Sequence, residues 1–99
     1  MSLTRNEQEA TKAELRAALA LSGLSIQQVA EGLGVTSQMI EYTLDLDCRV
    51  IENPWIIKEF LADEARKQGK EPVVFTALKG DYHRYWFLNA RVIDERKMR

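Results

Sequence analysis

The residues with the most specific chemical potential lie between positions 25 and 45 of this 99-residue chain. Ser37, Gln38, Glu41, Tyr42 and Asp45, preceded by Thr36, fall at the three- and four-residue spacing that gathers side chains on one face of a helix. Laid in a major groove, such a face has the groups to read bases. Gln38 can pair bidentately with adenine, Thr36 or Ser37 can reach a phosphate or a base edge, and Glu41 can accept from cytosine N4. Arg16 and Arg49 flank the stretch as candidate phosphate contacts, since positions 17–48 hold no lysine or arginine. The same stretch carries Glu31, Glu41, Asp45 and Asp47, and acidic charge opposes the phosphate attraction behind most non-specific affinity. Two functions are open for this face: binding duplex DNA, or binding a protein.

Elsewhere the chemistry is sparse. His83, next to Asp81 and Tyr82, is the single histidine, and no paired nucleophile accompanies it, so a surface or capping role is expected. Cys48 follows Asp45 and Asp47, whose charge disfavours a thiolate, so a reactive thiol is not expected. One cysteine forms no intrachain disulfide, and one cysteine with one histidine builds no zinc site of nitrogen and sulfur ligands. There is no P-loop, no Gly-x-Ser-x-Gly elbow and no His-Glu-x-x-His, and no strand precedes Gly32-Leu33-Gly34. No enzyme, cofactor or metal site is expected. Five of the eight aromatic residues, Phe75, Tyr82, Tyr85, Trp86 and Phe87, cluster near the end. Such rings can stack on single-stranded bases, form a dimer interface, or close the open end of a small helical core. The last is the simplest reading, with Trp86 and Phe87 in the core and the hydroxyls of Tyr82 and Tyr85 in water.

Helices must position these groups. Thr4 with Glu7, or Thr11 with Glu14, stands at capping-box spacing for a first helix whose stripe includes Leu15, Ala18, Leu19 and Ser22 and which Gly23 ends. Ser25 with Gln28 opens a second helix that buries Ile26, Val29, Ala30 and Leu33. Gly34 breaks it, and Thr36 caps a third helix that runs to about Leu46 and buries Met39, Ile40, Thr43 and Leu44. Asn53-Pro54 reads as the N-cap and first residue of a fourth helix, with Trp55, Ile56, Ile57, Phe60, Leu61 and Ala65 as its apolar face and Gly69 as its end. Val73-Val74-Phe75-Thr76 has strand-like residue types but no partner strand. Asp81 and Asn89 can each cap a further turn, the second carrying Val92 and Ile93.

Residues 26–43, IQQVAEGLGVTSQMIEYT, fit a tight corner between two helices. Ala30 is small where the third helix crosses, Gly34 supplies the left-handed turn, and Val29, Leu33, Val35 and Ile40 fill the wedge. This stretch resembles the lambda-repressor-like (Cro/repressor) helix-turn-helix superfamily, and Asn53-Pro54-Trp55 extends the likeness to about residues 11–68. The resemblance implies an all-α fold and, by analogy of fold, a transcription regulator on duplex DNA. A homodimer follows, because one short helix reads too few base pairs. The whole chain also resembles the domain-of-unknown-function family 2316 of small bacterial proteins. That likeness rests on the same motif and on Gly80-Asp81-Tyr82-His83 and Tyr85-Trp86-Phe87-Leu88-Asn89. It implies no activity, substrate or cofactor.

Composition agrees with a single domain over residues 1–99: 45% hydrophobic, 29% charged and no linker between the helices and the extension at 70–99. Residues 1–48 hold three basic and seven acidic side chains, and residues 49–99 hold eleven and eight, so the slight net charge of −1 hides a basic second half. No apolar run approaches the roughly 20 residues of a membrane span. Residues 1–12 are charged throughout and unlike a signal peptide, which points to the cytoplasm. The expectation is an all-α domain of about four helices with an aromatic C-terminal extension. Its function is DNA binding, or a helix-turn-helix fold turned to protein interaction or dimerisation.

Overall fold

The computed structural model describes residues 4–47, 50–79, 81–85 and 88–98. Of the two capping signals near the start, the first is used. Thr4 Oγ1 accepts from Glu7 N at 3.2 Å and Glu7 Oε1 accepts from Thr4 N at 2.9 Å, opening α1 (Arg5–Ser22). Thr11 is instead buried inside the helix and donates its hydroxyl to Glu7 O at 2.7 Å. Thr11, Leu15, Ala18 and Ser22, spaced by three or four, form the buried stripe.

Ser25 and Gln28 make a second reciprocal box at the head of α2 (Ile26–Leu33). Thr36 Oγ1 accepts from Met39 N at 3.1 Å and opens α3 (Ser37–Leu44). The fourth helix starts earlier than its Asn-Pro signal indicates. α4 (Glu52–Lys67) has Ile51 at its N-cap without a side-chain cap bond, and Asn53 lies buried in the first turn. Pro54 still sits where a missing N–H removes no intrahelical bond. Glu52, ahead of it, uses its carboxylate over a long range: Oε2 accepts from Asn89 N at 2.9 Å. Asn89 in turn caps α5 (Ala90–Asp94) through Oδ1 to Arg91 N.

The fold is all-α, with no strand among the described residues. Val73 to Thr76 form no strand. Glu14 of α1 accepts from both Thr76 N, at 3.2 Å, and Thr76 Oγ1, at 2.9 Å. That anchor lets Phe75 and Leu78 reach the core while Val74 stays 83% exposed. α1 packs along α4, α2 against α3, and α5 on α4. Leu15, Val29, Ile40, Leu44, Ile56, Ile57, Leu61 and Ile93 share one core. The extension therefore lies on the helices, and the radius of gyration of 12.4 Å is close to the ~13 Å of a packed 100-residue domain. Among the described residues, no helix is long and apolar enough to cross a membrane.

Candidate nucleic-acid interface

The corner between α2 and α3 is closed by backbone geometry. Gly34 has φ 72°, Gly34 N donates to Glu31 O at 3.3 Å, and Val35 N donates to Ala30 O at 2.9 Å. These are the two bonds of a Schellman ending, which needs a left-handed residue at that point. Val29, Ala30, Ile40 and Leu44 are buried on the inner side of the corner, with Leu33 and Val35 half-buried at its edge. Gly32 has a separate role that its position in the motif did not disclose. A Cβ there would lie 2.7 Å from Phe60 Cζ, so the bare glycine lets the ring of an α4 residue seat against α2. The only sign of this in the sequence is a glycine inside a helix, where alanine would be preferred by about 1 kcal/mol.

With Ile40, Thr43 and Leu44 turned inward, α3 presents its other side to solvent. Thr36, Ser37, Gln38, Glu41, Tyr42 and Asp45 are all exposed, Tyr42 by 49%. Met39, placed inside by the spacing, is half-buried instead. Gln38 Nε2 donates to Tyr42 Oη at 2.9 Å, one turn along, which holds the amide beside the phenol ring. That bond leaves the second amide hydrogen and Oε1, the pair of groups that a bidentate contact to adenine requires. Arg16 reaches across from α1, and its Nη2 lies 3.0 Å from Asp45 Oδ1. The flanking cation thus answers one acidic group of the face. Arg49 and Cys48 lie outside the described residues.

Much of the basic excess of the second half is answered locally. Lys67 pairs with Glu64, Arg66 and Arg96 both approach Asp63, and Arg91 and Lys97 both approach Glu95. Such exposed pairs contribute about 0–1 kcal/mol each and can open toward a phosphate. A groove of about 260 Å³ is lined by residues of α1, α4 and the segment after Pro72, among them Ala18, Leu61, Ala65, Val73 and Phe75. Two cations at its rim are already paired, Lys58 with Glu59 and Arg66 with Asp63.

The aromatic extension packs on the core. The rings of Tyr82 and Tyr85 lie 6.1 and 5.7 Å from that of Trp55. Their hydroxyls make exposed bonds within the chain, Tyr82 to Asp94 and Tyr85 to Lys79 O at 2.8 Å. Burial, reinforced by the Asp94 carboxylate, pushes the Tyr82 hydroxyl up to about 12. Trp86 and Phe87 lie outside the described residues. His83 is half-exposed, with Nδ1 2.7 Å from Asp81 Oδ1 and Nε2 2.9 Å from Asp94 Oδ2. Each ring nitrogen thus has a carboxylate partner. No group of three or more potential metal ligands is assembled among the described residues.

A small all-α protein with a capped two-helix corner and one bare helical face is the class that these features define. Its sequence matches a family of uncharacterised proteins conserved in bacteria, DUF2316, over residues 1–89, and the chain belongs to that family. No curated protein and no solved structure matches it.

Proposed function

We propose that the chain is a helix-turn-helix regulator that binds duplex DNA as a homodimer, with α3 as the reading helix. The observation that carries this is the bare N-terminal end of α3, where Thr36, Ser37 and Gln38 are exposed while Ile40, Thr43 and Leu44 anchor the opposite side. Reading helices of this kind address base edges with their N-terminal residues. Gln38, steadied by Tyr42, reads adenine, Ser37 and Thr36 meet phosphate or base edge, and Glu41 accepts from cytosine. Arg16 and Arg49 supply backbone contacts, Arg16 by exchanging an exposed carboxylate partner for a phosphate.

A second reading is favoured by the charge of the same face. Glu41 and Asp45 stand on it, and the described cation beside it, Arg16, is paired with Asp45. A protein partner, or a second copy of the chain, meets such a surface without the repulsion that phosphates feel. Selection from random duplex fragments at low salt separates the two. Recovery of a common sequence by the full chain supports DNA reading. If no fragment is enriched and no salt-dependent binding is measurable at micromolar protein, DNA reading fails and the interaction module takes its place.

A further inference from the structure

The C-terminal corner holds a cluster that neither reading of α3 uses. Asp81 Oδ1 accepts from His83 N at 3.0 Å, closing the cap of the 3-10 turn at Tyr82–Arg84. The same oxygen lies 2.7 Å from Nδ1 of the imidazole, and Asp94 Oδ2, at the end of α5, lies 2.9 Å from Nε2. The other oxygen of Asp94 accepts from the Tyr82 hydroxyl, and the Tyr82 ring stacks on the imidazole at 4.4 Å and 28°. Tyr82 then meets Trp55 of α4 edge-on. An ionised carboxylate only accepts, so both ring nitrogens must donate, and a histidine that donates from both is the imidazolium. The neutral ring has one N–H, and one of the two carboxylates would then face a lone pair.

We infer that His83 is a protonation-dependent clasp: its imidazolium, bridging Asp81 and Asp94, holds α5 to the 3-10 turn, and loss of one ring proton loosens α5 from the body of the protein. Geometry alone sets this requirement, and the surrounding charges agree with it. Bonds to Asp94 first and Asp81 second hold the imidazole above its ordinary 6.5. Asp94, bonded by Tyr82 and His83, and Asp81, bonded by the His83 backbone N–H, are both held below 3.8. The other charged groups around the cluster do not replace the ring proton. Arg84 lies on the same turn and acts on Asp81. Arg96, just past α5, acts on Asp94 but spends its Nη2 on Asp63 of α4 at 2.9 Å. Lys58 of α4 sits over the far neighbour, the Trp55 ring, at 4.8 Å.

The raised value fixes the sign. While both carboxylates stay ionised, the ring proton's support is complete below about 6.5, the unfolded value, and is lost as pH rises through the higher folded value. Across that range the opening constant of α5 rises by ten to the power of the difference between the two values. This holds whether or not α3 binds DNA.

The chain has one histidine, so its ring signals in the NMR spectrum of the full protein report His83 without assignment ambiguity. The expected result is a titration above 6.5. Over the same pH range, amide protection should fall at Glu95, Arg96 and Lys97, whose N–H groups close α5, after correction for intrinsic exchange. α1 amides should keep theirs. In His83→Gln, which keeps a polar side chain but carries no titratable proton, α5 protection should be lower and flat with pH. Titration of His83 at or below 6.5, α5 protection independent of pH in the wild type, or an unchanged pH dependence in His83→Gln would each overturn the clasp. The wild-type titration decides the matter even where the variant folds poorly.

Discussion

Substituting Gly34 by valine tests the corner on which the α3 face depends. The backbone there has φ 72°, a region that costs an L residue roughly 1–2 kcal/mol, with β-branched side chains at the upper end. A Cβ at Gly34 meets nothing within 4 Å, so the penalty is conformational and no collision adds to it. Valine also narrows the unfolded ensemble, which returns about 0.4–1 kcal/mol only where the native φ suits it, and here it does not. The expected loss is therefore about 1–3 kcal/mol. For a chain of this size, the lower half of that range lowers Tm by roughly 5–15 °C. Urea and thermal melts at fixed protein concentration measure it. Gly34→Asn is the control, because asparagine tolerates the left-handed region and should lose much less. Equal melting of Gly34→Val and wild type, or equal loss in the valine and asparagine variants, would refute the left-handed turn as the cause.

Ile56→Ala, at a fully buried position of α4, should cost about 2–5 kcal/mol in denaturant melts, and a loss under 1 kcal/mol would mean that Ile56 is not a core residue. Protection of α5 should be bell-shaped in pH. The depressed carboxylates of Asp81 and Asp94 contribute above about 4 and lose their effect as pH falls through their lower folded values. His83 contributes below about 6.5 and is lost as pH rises through its higher value. Hydrogen exchange should thus show a maximum between about 4 and 6.5, and monotonic behaviour would contradict it. Arg16→Ala and Arg49→Ala should weaken binding to all duplexes alike and reduce the salt slope by about one each per site contacted, as titration on two unrelated sequences will show.

Features governed by neighbours a few residues apart were legible in the sequence. The boxes Thr4/Glu7 and Ser25/Gln28, the caps Thr36, Asp81 and Asn89, and the left-handed Gly34 all depend on local bonds, and all occur where the residue types place them. Asn53 misled because its Asn-Pro signal is generic, and Glu52, one residue earlier, was drawn into the helix where it reaches Asn89. What escaped were bonds across the chain: Glu14 to Thr76, Arg16 to Asp45, Asp63 to Arg96 and His83 to Asp94. Each joins polar residues at or near the surface that satisfy the same pattern equally well in solvent, so periodicity cannot pair them. The exposed face of α3 was legible because helical spacing alone sorts Gln38 and Glu41 from Ile40 and Leu44. Its ion pair between Arg16 and Asp45 was not, nor was the contact of Phe60 with Gly32.

The proposal that α3 reads DNA is tested most directly by Gln38→Ala on a selected duplex, titrated by fluorescence anisotropy across salt concentrations. A dimer that neutralises about 4–6 phosphates gives a log–log slope of about −4 to −5 for the wild type. The variant should keep that slope and lose about 1–3 kcal/mol of preference at one base pair. If Gln38→Ala binds every duplex as the wild type does, with no base pair losing its preference, α3 is not the reading helix.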